Sequence, residues 1–139
     1  MTQDTIKQEP GDGRCVACTA AMAAGDETTE SFQRFVAERF GESNPPYSDL
    51  QAYAYLLERK LVVGLGFMHP KFSPNGTMEL KFDAKEFPAY VVVQSPYRDV
   101  THAVYWDGNK IRDPDPRTQD GKPINQYQIL LWVPIYRIE

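Results

Sequence analysis

The feature that most constrains the fold is a hairpin signal in the last third of the chain. The dipeptide Asp107-Gly108 stands between two apolar runs, 101–106 and 110–113. Asp-Gly in this setting is among the strongest short-range signals for a two-residue turn between antiparallel strands. The sequence therefore predicts that these two runs pair as neighbouring strands.

The position of the turn also predicts which side chains face each other across the hairpin. If that dipeptide forms the turn, His102 lies directly opposite Asp113 on one face of the sheet, with Cβ atoms about 5 Å apart. If the turn begins one residue later, Asp115 takes the place opposite His102 instead. We expect a histidine–carboxylate pair, with Asp113 as the preferred carboxylate and Asp115 as the alternative.

Helix signals fill the first half of the chain, and strand signals fill the second. We predict an extended lead-in over 1–13, helices over 15–25 and 28–40, and a third helix that begins at a capping box formed by Ser48 and Gln51. The predicted strands are 61–67, 78–82, 90–94, 101–106, 110–113 and 127–137. This segregation indicates an α+β fold with N-terminal helices packed on an antiparallel β-sheet.

Two of these helices carry apolar side chains at helical spacing. The second has Phe32, Phe35, Val36 and Phe40, and the third has Leu50, Tyr53, Ala54 and Leu57. Because residues three and four apart share a face of a helix, we expect both sets to face the core.

Length and charge limit the classes of function. A chain of 139 residues that is 42% hydrophobic can bury one sizeable core, so we expect a single domain over 1–139. The net charge of −4, with no basic run, argues against nucleic acid or an anionic membrane as the partner. No stretch approaches the roughly 20 apolar residues of a membrane span, and 1–13 lacks the pattern of a signal peptide. We therefore expect a cytoplasmic protein.

Three residues supply what a thiol nucleophile needs. Cys15 stands just ahead of an Ala-rich apolar run, where a helix N-terminus can stabilise a thiolate. His102 is the candidate base, and Asp113 is the candidate carboxylate that orients it. The set predicts nucleophilic catalysis by Cys15, although a cysteine beside Ala and Val taken alone is more often a small buried hydrophobe.

The order of these features resembles the papain-like cysteine peptidases. It consists of a cysteine at a helix start, the apolar segment 88–93, the segment His102-Ala-Val-Tyr-Trp-Asp-Gly, and Asp113-Pro. The similarity is greatest to the bacteriocin-processing, double-glycine branch and its small bacterial and phage relatives. It implies Cys15 as nucleophile, His102 as base, Asp113 as orienting residue, a peptide or protein substrate, and no metal or organic cofactor.

The resemblance also implies a side chain that helps to bind the oxyanion. Family members carry this Gln six residues before the nucleophile, whereas Gln8 lies seven residues before Cys15. A second departure is Val16, which follows the cysteine where relatives usually have Gly or Trp. The backbone N–H at the helix start is available with either residue.

Three other functions remain open from the sequence. A papain-like binding module would keep the fold without the chemistry. A thiol-disulfide oxidoreductase would use Cys15 and Cys18 as a Cys-x-x-Cys pair, although no apolar strand precedes the motif. A zinc site could draw on these cysteines with His69 and His102, although their spacing matches common zinc sites poorly.

Overall fold

The described residues fold as three α-helices followed by six strands of an antiparallel sheet, which makes the protein α+β as the sequence predicts. The computed structural model describes residues 5–8, 14–64, 67–68, 86–119 and 121–138. The predicted strand over 78–82 lies outside the described residues.

The helices end where the sequence supplies glycine. They are α1 (Cys15–Ala24), α2 (Glu30–Phe40) and α3 (Asp49–Glu58). Gly25 and Gly41 follow the first two with φ of +83° and +70°, the left-handed conformation that glycine adopts without strain. Helix α2 begins two residues later than predicted. None of the helices in the described ranges is long and apolar enough to cross a membrane.

Helix α1 is the centre of the helical layer. Every residue from Val16 to Met22 is buried, so the helix is covered on all sides. It contacts both other helices and also packs on the sheet. Small side chains such as Ala17, Ala20 and Ala21 allow these close approaches. The burial fixes the position of Cys15 at the start of the helix.

Helix α3 shows one confirmed prediction and one wrong prediction. The capping box is present, because Ser48 and Gln51 each accept the other's backbone N–H, at 3.2 and 2.9 Å. The predicted apolar face is wrong at Leu50 and Leu57, which are 68% and 58% exposed. The buried side chains instead include Ala52, Tyr55 and Leu56. Both sets have helical spacing, so packing against α1 and the sheet decides between them.

The longest strand of the sheet, which is the last in the chain, pairs with three of the others. The strands are β1 (Leu61–Val63), β2 (Phe67–Met68), β3 (Ala89–Gln94), β4 (Thr101–Trp106), β5 (Ile111–Arg112) and β6 (Ile129–Arg137). Their order across the sheet is β1-β6-β3-β4-β5, and β2 pairs with β6 as well.

Both faces of the sheet carry apolar side chains. Tyr90, Ala103 and Val133 belong to the core that the sheet shares with the helices. On the opposite face, Val104 and Trp132 belong to a second cluster, which includes Tyr127 from the segment before β6. The strands therefore read as continuous apolar runs, as expected for a sheet covered on both sides.

The register of the β4–β5 hairpin differs from the preferred prediction. Trp106 pairs with Ile111, so the two central turn residues are Gly108 and Asn109. Gly108 has φ of +94°, and Asp107 Oδ1 accepts the backbone N–H groups of Asn109 and Lys110, both at 2.8 Å. These contacts favour the turn that begins one residue later.

The exposure difference between two adjacent leucines on α3 can be tested directly. Leu56 is completely buried, and Leu57 is 58% exposed. We expect Leu56→Ala to lower the free energy of unfolding by about 2–5 kcal/mol. Leu57→Ala serves as the matched control and should change it by no more than about 0.5 kcal/mol. Urea unfolding followed by circular dichroism measures both, and equal losses would contradict the orientation of α3.

Candidate active site

Cys15 is the first residue of α1, and its side chain is partly exposed. The first hydrogen bond along the start of the helix runs from the Cys18 N–H to the Arg14 carbonyl, at 2.9 Å. The N–H groups of the first turn have no partner within the helix and point out of its N-terminus. Their dipoles favour negative charge at this end, so the location suits a thiolate.

His102 links Cys15 to the sheet. It is the second residue of β4, and it pairs with Val93 of the neighbouring strand. Its Nε2 lies 2.6 Å from Asp113 Oδ1, and its side chain lines the same cavity as Cys15. Because Nε2 is used by Asp113, Nδ1 is the nitrogen left for the thiol. The three predicted side chains are thus brought together at one site.

Asp113 is a buried carboxylate with several donors around it. Oδ1 accepts from His102 and from the backbone N–H of Asp115, the latter at 2.9 Å. Oδ2 accepts from the hydroxyl of Tyr127, also at 2.9 Å. Both oxygens are therefore satisfied, which is the usual condition for a buried charge.

Asp113 reaches His102 although the register argument that favoured it was wrong. Continuing the observed register past β5 would place Asp115 opposite His102 and Asp113 diagonal to it. A two-residue shift leaves both carboxylates on the face of His102, because side chains alternate with a period of two. A diagonal neighbour about 7–8 Å away remains within reach of a long side chain.

Asp115, the alternative carboxylate, has a different partner. Its Oδ1 and Oδ2 accept from Arg117 Nε and Nη2, at 3.0 and 2.8 Å, and Oδ1 also accepts the Arg117 backbone N–H at 2.9 Å. These hydrogen bonds hold the pKa of Asp115 below its ordinary value. Pro114 takes the chain out of the ladder, so Asp115 supports Asp113 through its backbone.

The site strongly perturbs two ionisable groups. Burial disfavours the imidazolium of His102, but the hydrogen bond that it donates to Asp113 and the interaction with Cys15 outweigh burial and raise the pKa of His102 to about 9. Burial likewise acts to raise the pKa of Asp113. The hydrogen bond and charge of His102 overcome it and leave that pKa below its usual value. The two groups are therefore charged together near neutral pH.

Residues 5–8, the described part of the lead-in, cross the site. The Gln8 N–H donates to the Pro114 carbonyl at 2.8 Å, and Ile6 packs on the helical core. The Lys7 ammonium donates to the carbonyls of Asp113 and Thr118, at 2.8 and 3.0 Å. Lys7 and Gln8 are thereby fastened to the loop that carries Asp113.

A small cavity opens beside the thiol. Its volume is about 80 Å³, and Cys15 and His102 both line it. Gln8 lines the same cavity, so its position seven residues before the cysteine still brings it to the site. The other lining residues are Ser95, Arg98, Val100, Thr101, Asp115 and Arg117.

Two of the alternative functions, the Cys-x-x-Cys redox pair and the zinc site, would use both cysteines. Cys15 and Cys18 are free thiols, but Cys18 is only 2% exposed and packs in the helical core. Among the described residues, no group of three or more His, Cys, Asp or Glu side chains could hold a metal ion. His69, a member of the hypothetical zinc site, lies outside the described residues.

Two residues at the site were not found from the sequence. Tyr127 lies 14 residues from Asp113, just before β6, and Lys7 lies more than 100 residues before the carbonyls it binds. Neither contact leaves a local pattern, because each depends on how distant segments pack. The sequence predicts only a strand start at Tyr127, and the structure places the start of β6 at Ile129.

Comparison of the chain with protein-family models, with curated proteins and with solved structures gave no match.

The charge state of His102 can be tested by NMR titration of the imidazole nitrogens. We expect a midpoint near pH 9 in the wild type, so the imidazolium persists at neutral pH and is lost as pH rises through that value. Asp113→Asn removes the charged acceptor while burial still disfavours the imidazolium, so the midpoint should fall by about one unit or more. Tyr127→Phe keeps the charged acceptor of His102 and is the matched control, so its midpoint should not fall below that of the wild type. Midpoints near 6.5 in all three proteins would contradict the His102–Asp113 pair.

Proposed function

We propose that the protein is a papain-like cysteine hydrolase that cleaves a peptide or isopeptide bond. The observation that carries this proposal is the Cys15 thiol beside His102 in one cavity, with His102 hydrogen-bonded to the buried Asp113. A thiol, a base and an orienting carboxylate in contact form the arrangement that activates a nucleophile.

The placement of the three residues supports the papain-like assignment. In that family the nucleophile opens the first helix, the base begins a strand of a hairpin, and in the double-glycine branch the third residue is an Asp followed by Pro. Here Cys15 opens α1, His102 stands at the start of β4, and Asp113-Pro114 follows β5.

In the first half of the reaction, the Cys15 thiolate attacks the substrate carbonyl while His102 holds the proton as an imidazolium. The tetrahedral intermediate collapses, the bond to the amine breaks, and His102 gives its proton to the leaving nitrogen. The product at this stage is an acyl-enzyme with a thioester at Cys15. Asp113 keeps Nδ1 of the imidazole directed at the thiol throughout, because it binds Nε2.

In the second half, water takes the place of the departed amine. Neutral His102 removes a proton from water, the resulting hydroxide equivalent attacks the thioester, and the carboxylic acid leaves. The proton returns to the Cys15–His102 pair, and the enzyme is restored. These reaction steps use only groups of the site and water, and they need no metal or organic cofactor.

The negative oxygen that forms during attack needs donors close to the sulfur. The backbone N–H of Cys15 lies in the first turn of α1, where helical partners are lacking. The side-chain amide of Gln8 lines the same cavity and is the second donor in this proposal. Val16 in the place of the usual Gly or Trp is compatible with this proposal, because the oxyanion donors are the Cys15 backbone and the Gln8 side chain.

The setting follows from the chemistry. The reaction requires a reduced thiol, and both cysteines are free, so a reducing cytoplasm is the compartment we propose. The partner is a peptide or protein substrate rather than nucleic acid or a membrane.

Alkylation by iodoacetamide tests whether Cys15 is activated. We expect Cys15 to react rapidly even at pH values below neutral, because the imidazolium of His102 beside it stabilises the reacting sulfur. The rate should be followed from about pH 4 to about pH 9 by peptide mass mapping, in wild type and in His102→Ala. Cys18 is the internal control, and its burial should keep it slow.

The mutant should lose the rapid reaction of Cys15 at low pH while Cys18 stays unchanged. Slow and similar reaction of both cysteines in the wild type would contradict the enzyme and favour the binding module. Preferential reaction of Cys15 that is unaffected by His102→Ala would contradict the assigned base.

A further inference from the structure

Arg98 lies at the edge of the cavity that contains the candidate nucleophile. It lines this cavity together with Cys15 and His102, and its side chain is exposed. An exposed arginine on a protein surface is ordinary, but one that borders the reacting group can contact the substrate next to the bond that is cleaved. Its surroundings therefore decide whether it has a function.

The loop that carries Arg98 is held by its own hydrogen bonds. Ser95 Oγ accepts the backbone N–H groups of Tyr97 and Arg98, at 3.2 and 3.3 Å. The Ser95 N–H donates to the Val100 carbonyl at 3.0 Å, and the Gln94 amide donates to the same carbonyl at 3.1 Å. The backbone of Arg98 is thus fixed relative to β3 and β4.

The same loop is tied to the segment that follows Asp113. The hydroxyls of Tyr97 and Thr118 lie 3.2 Å apart, and the Arg117 guanidinium lies 4.0 Å from the centre of the Tyr97 ring. The position of Arg98 is therefore coupled to the position of the site, and not only to the strands that begin and end its own loop.

The charges around the cavity leave Arg98 as its uncompensated cation. Arg117 also lines the cavity, but its guanidinium is paired with Asp115 at 2.8 Å. Among the described residues Arg98 forms no ion pair. The neighbouring Asp99 is exposed and is not one of the described residues that line the cavity. This local positive charge contrasts with the net charge of −4 of the whole chain.

We propose that Arg98 determines specificity by binding a carboxylate of the substrate next to the cleaved bond. The planar guanidinium presents paired N–H donors that match a carboxylate. The carboxylate can belong to an acidic side chain or to a free chain terminus. This inference rests on the proposed function, since it assigns a role beside the same thiol.

Two alkylating reagents that differ in charge test this inference. Iodoacetate carries a carboxylate, and iodoacetamide is its neutral counterpart. The quantity to measure is the ratio of their rates at Cys15, divided by the same ratio for N-acetylcysteine under identical conditions. The normalisation removes the intrinsic difference between the reagents.

We expect Arg98→Gln to lower this ratio about threefold at low ionic strength, the effect of one unit charge about 6 Å away in water. Arg98→Lys keeps the charge and should retain most of the ratio. Arg34→Gln, an exposed cation on α2, is the matched control for net charge and should not change it. The difference between wild type and Arg98→Gln should nearly vanish in about 1 M salt, where the Debye length is about 3 Å.

The same ratio in wild type, Arg98→Gln and Arg34→Gln would overturn the inference. Failure of the proposed function is a separate result, because it would appear as slow iodoacetamide reaction at Cys15 in the wild type. The two reagents therefore distinguish a thiol that is not activated from an activated thiol without a carboxylate site.

Protection by short peptides distinguishes the two sources of the carboxylate. Acetyl-Gly-Glu-Gly-amide offers an acidic side chain, acetyl-Gly-Gly-Gly offers a free terminus, and acetyl-Gly-Gln-Gly-amide is the neutral control. Slower alkylation of Cys15 with the first peptide assigns a side chain, and slower alkylation with the second assigns a terminus. Equal behaviour of all three peptides in the wild type, or protection that survives in Arg98→Gln, would count against the inference.

Discussion

The site depends on one buried carboxylate. Asp113 is 4% exposed, and it accepts hydrogen bonds from His102, Tyr127 and the backbone of Asp115. A buried charge is costly without partners, and removing one partner of a buried ion pair typically costs about 3–5 kcal/mol. The partners come from β4, from the segment before β6 and from the loop itself, so this carboxylate joins parts of the chain that are distant in sequence.

The elements around the carboxylate give each neighbour a fixed place. The pairing of β4 with β3, in which His102 is opposite Val93, holds the backbone of His102. α1 is covered on all sides, so Cys15 enters the site from a helix whose position is set by the core. Lys7 fastens the lead-in to the carbonyl of Asp113 and thereby brings Gln8 to the cavity.

The sequence predicted what depends on local signals and failed where packing decides. Gly25 and Gly41 end their helices as expected, and the capping box at Ser48 starts α3. The prediction of the buried face of α3 was wrong, because Leu50 and Leu57 have the same helical spacing as the side chains that are buried. The contact of Tyr127 with Asp113 could not be predicted, since it joins segments that meet only in the folded sheet.

The contact of His102 with Asp113 was predicted from a register that is wrong. The predicted register was off by two residues, yet the contact is present in the structure. A shift of two preserves the face on which a side chain lies, whereas a shift of one would have moved Asp113 to the opposite face. The sequence thus determined the face through its alternation, and the exit of the chain at Pro114 determined which of the two carboxylates lies nearer to His102.

In the proposed mechanism, Cys15 forms an acyl-enzyme that water then hydrolyses. The most direct measurement is the reaction with p-nitrophenyl acetate, followed by nitrophenolate release and by the intact mass of the protein. We predict a rapid release of about one nitrophenolate per protein, an acetyl group on Cys15, and its later loss to water, all absent in Cys15→Ala. Equal release by wild type and Cys15→Ala, or acetylation that is not located at Cys15, would contradict the account.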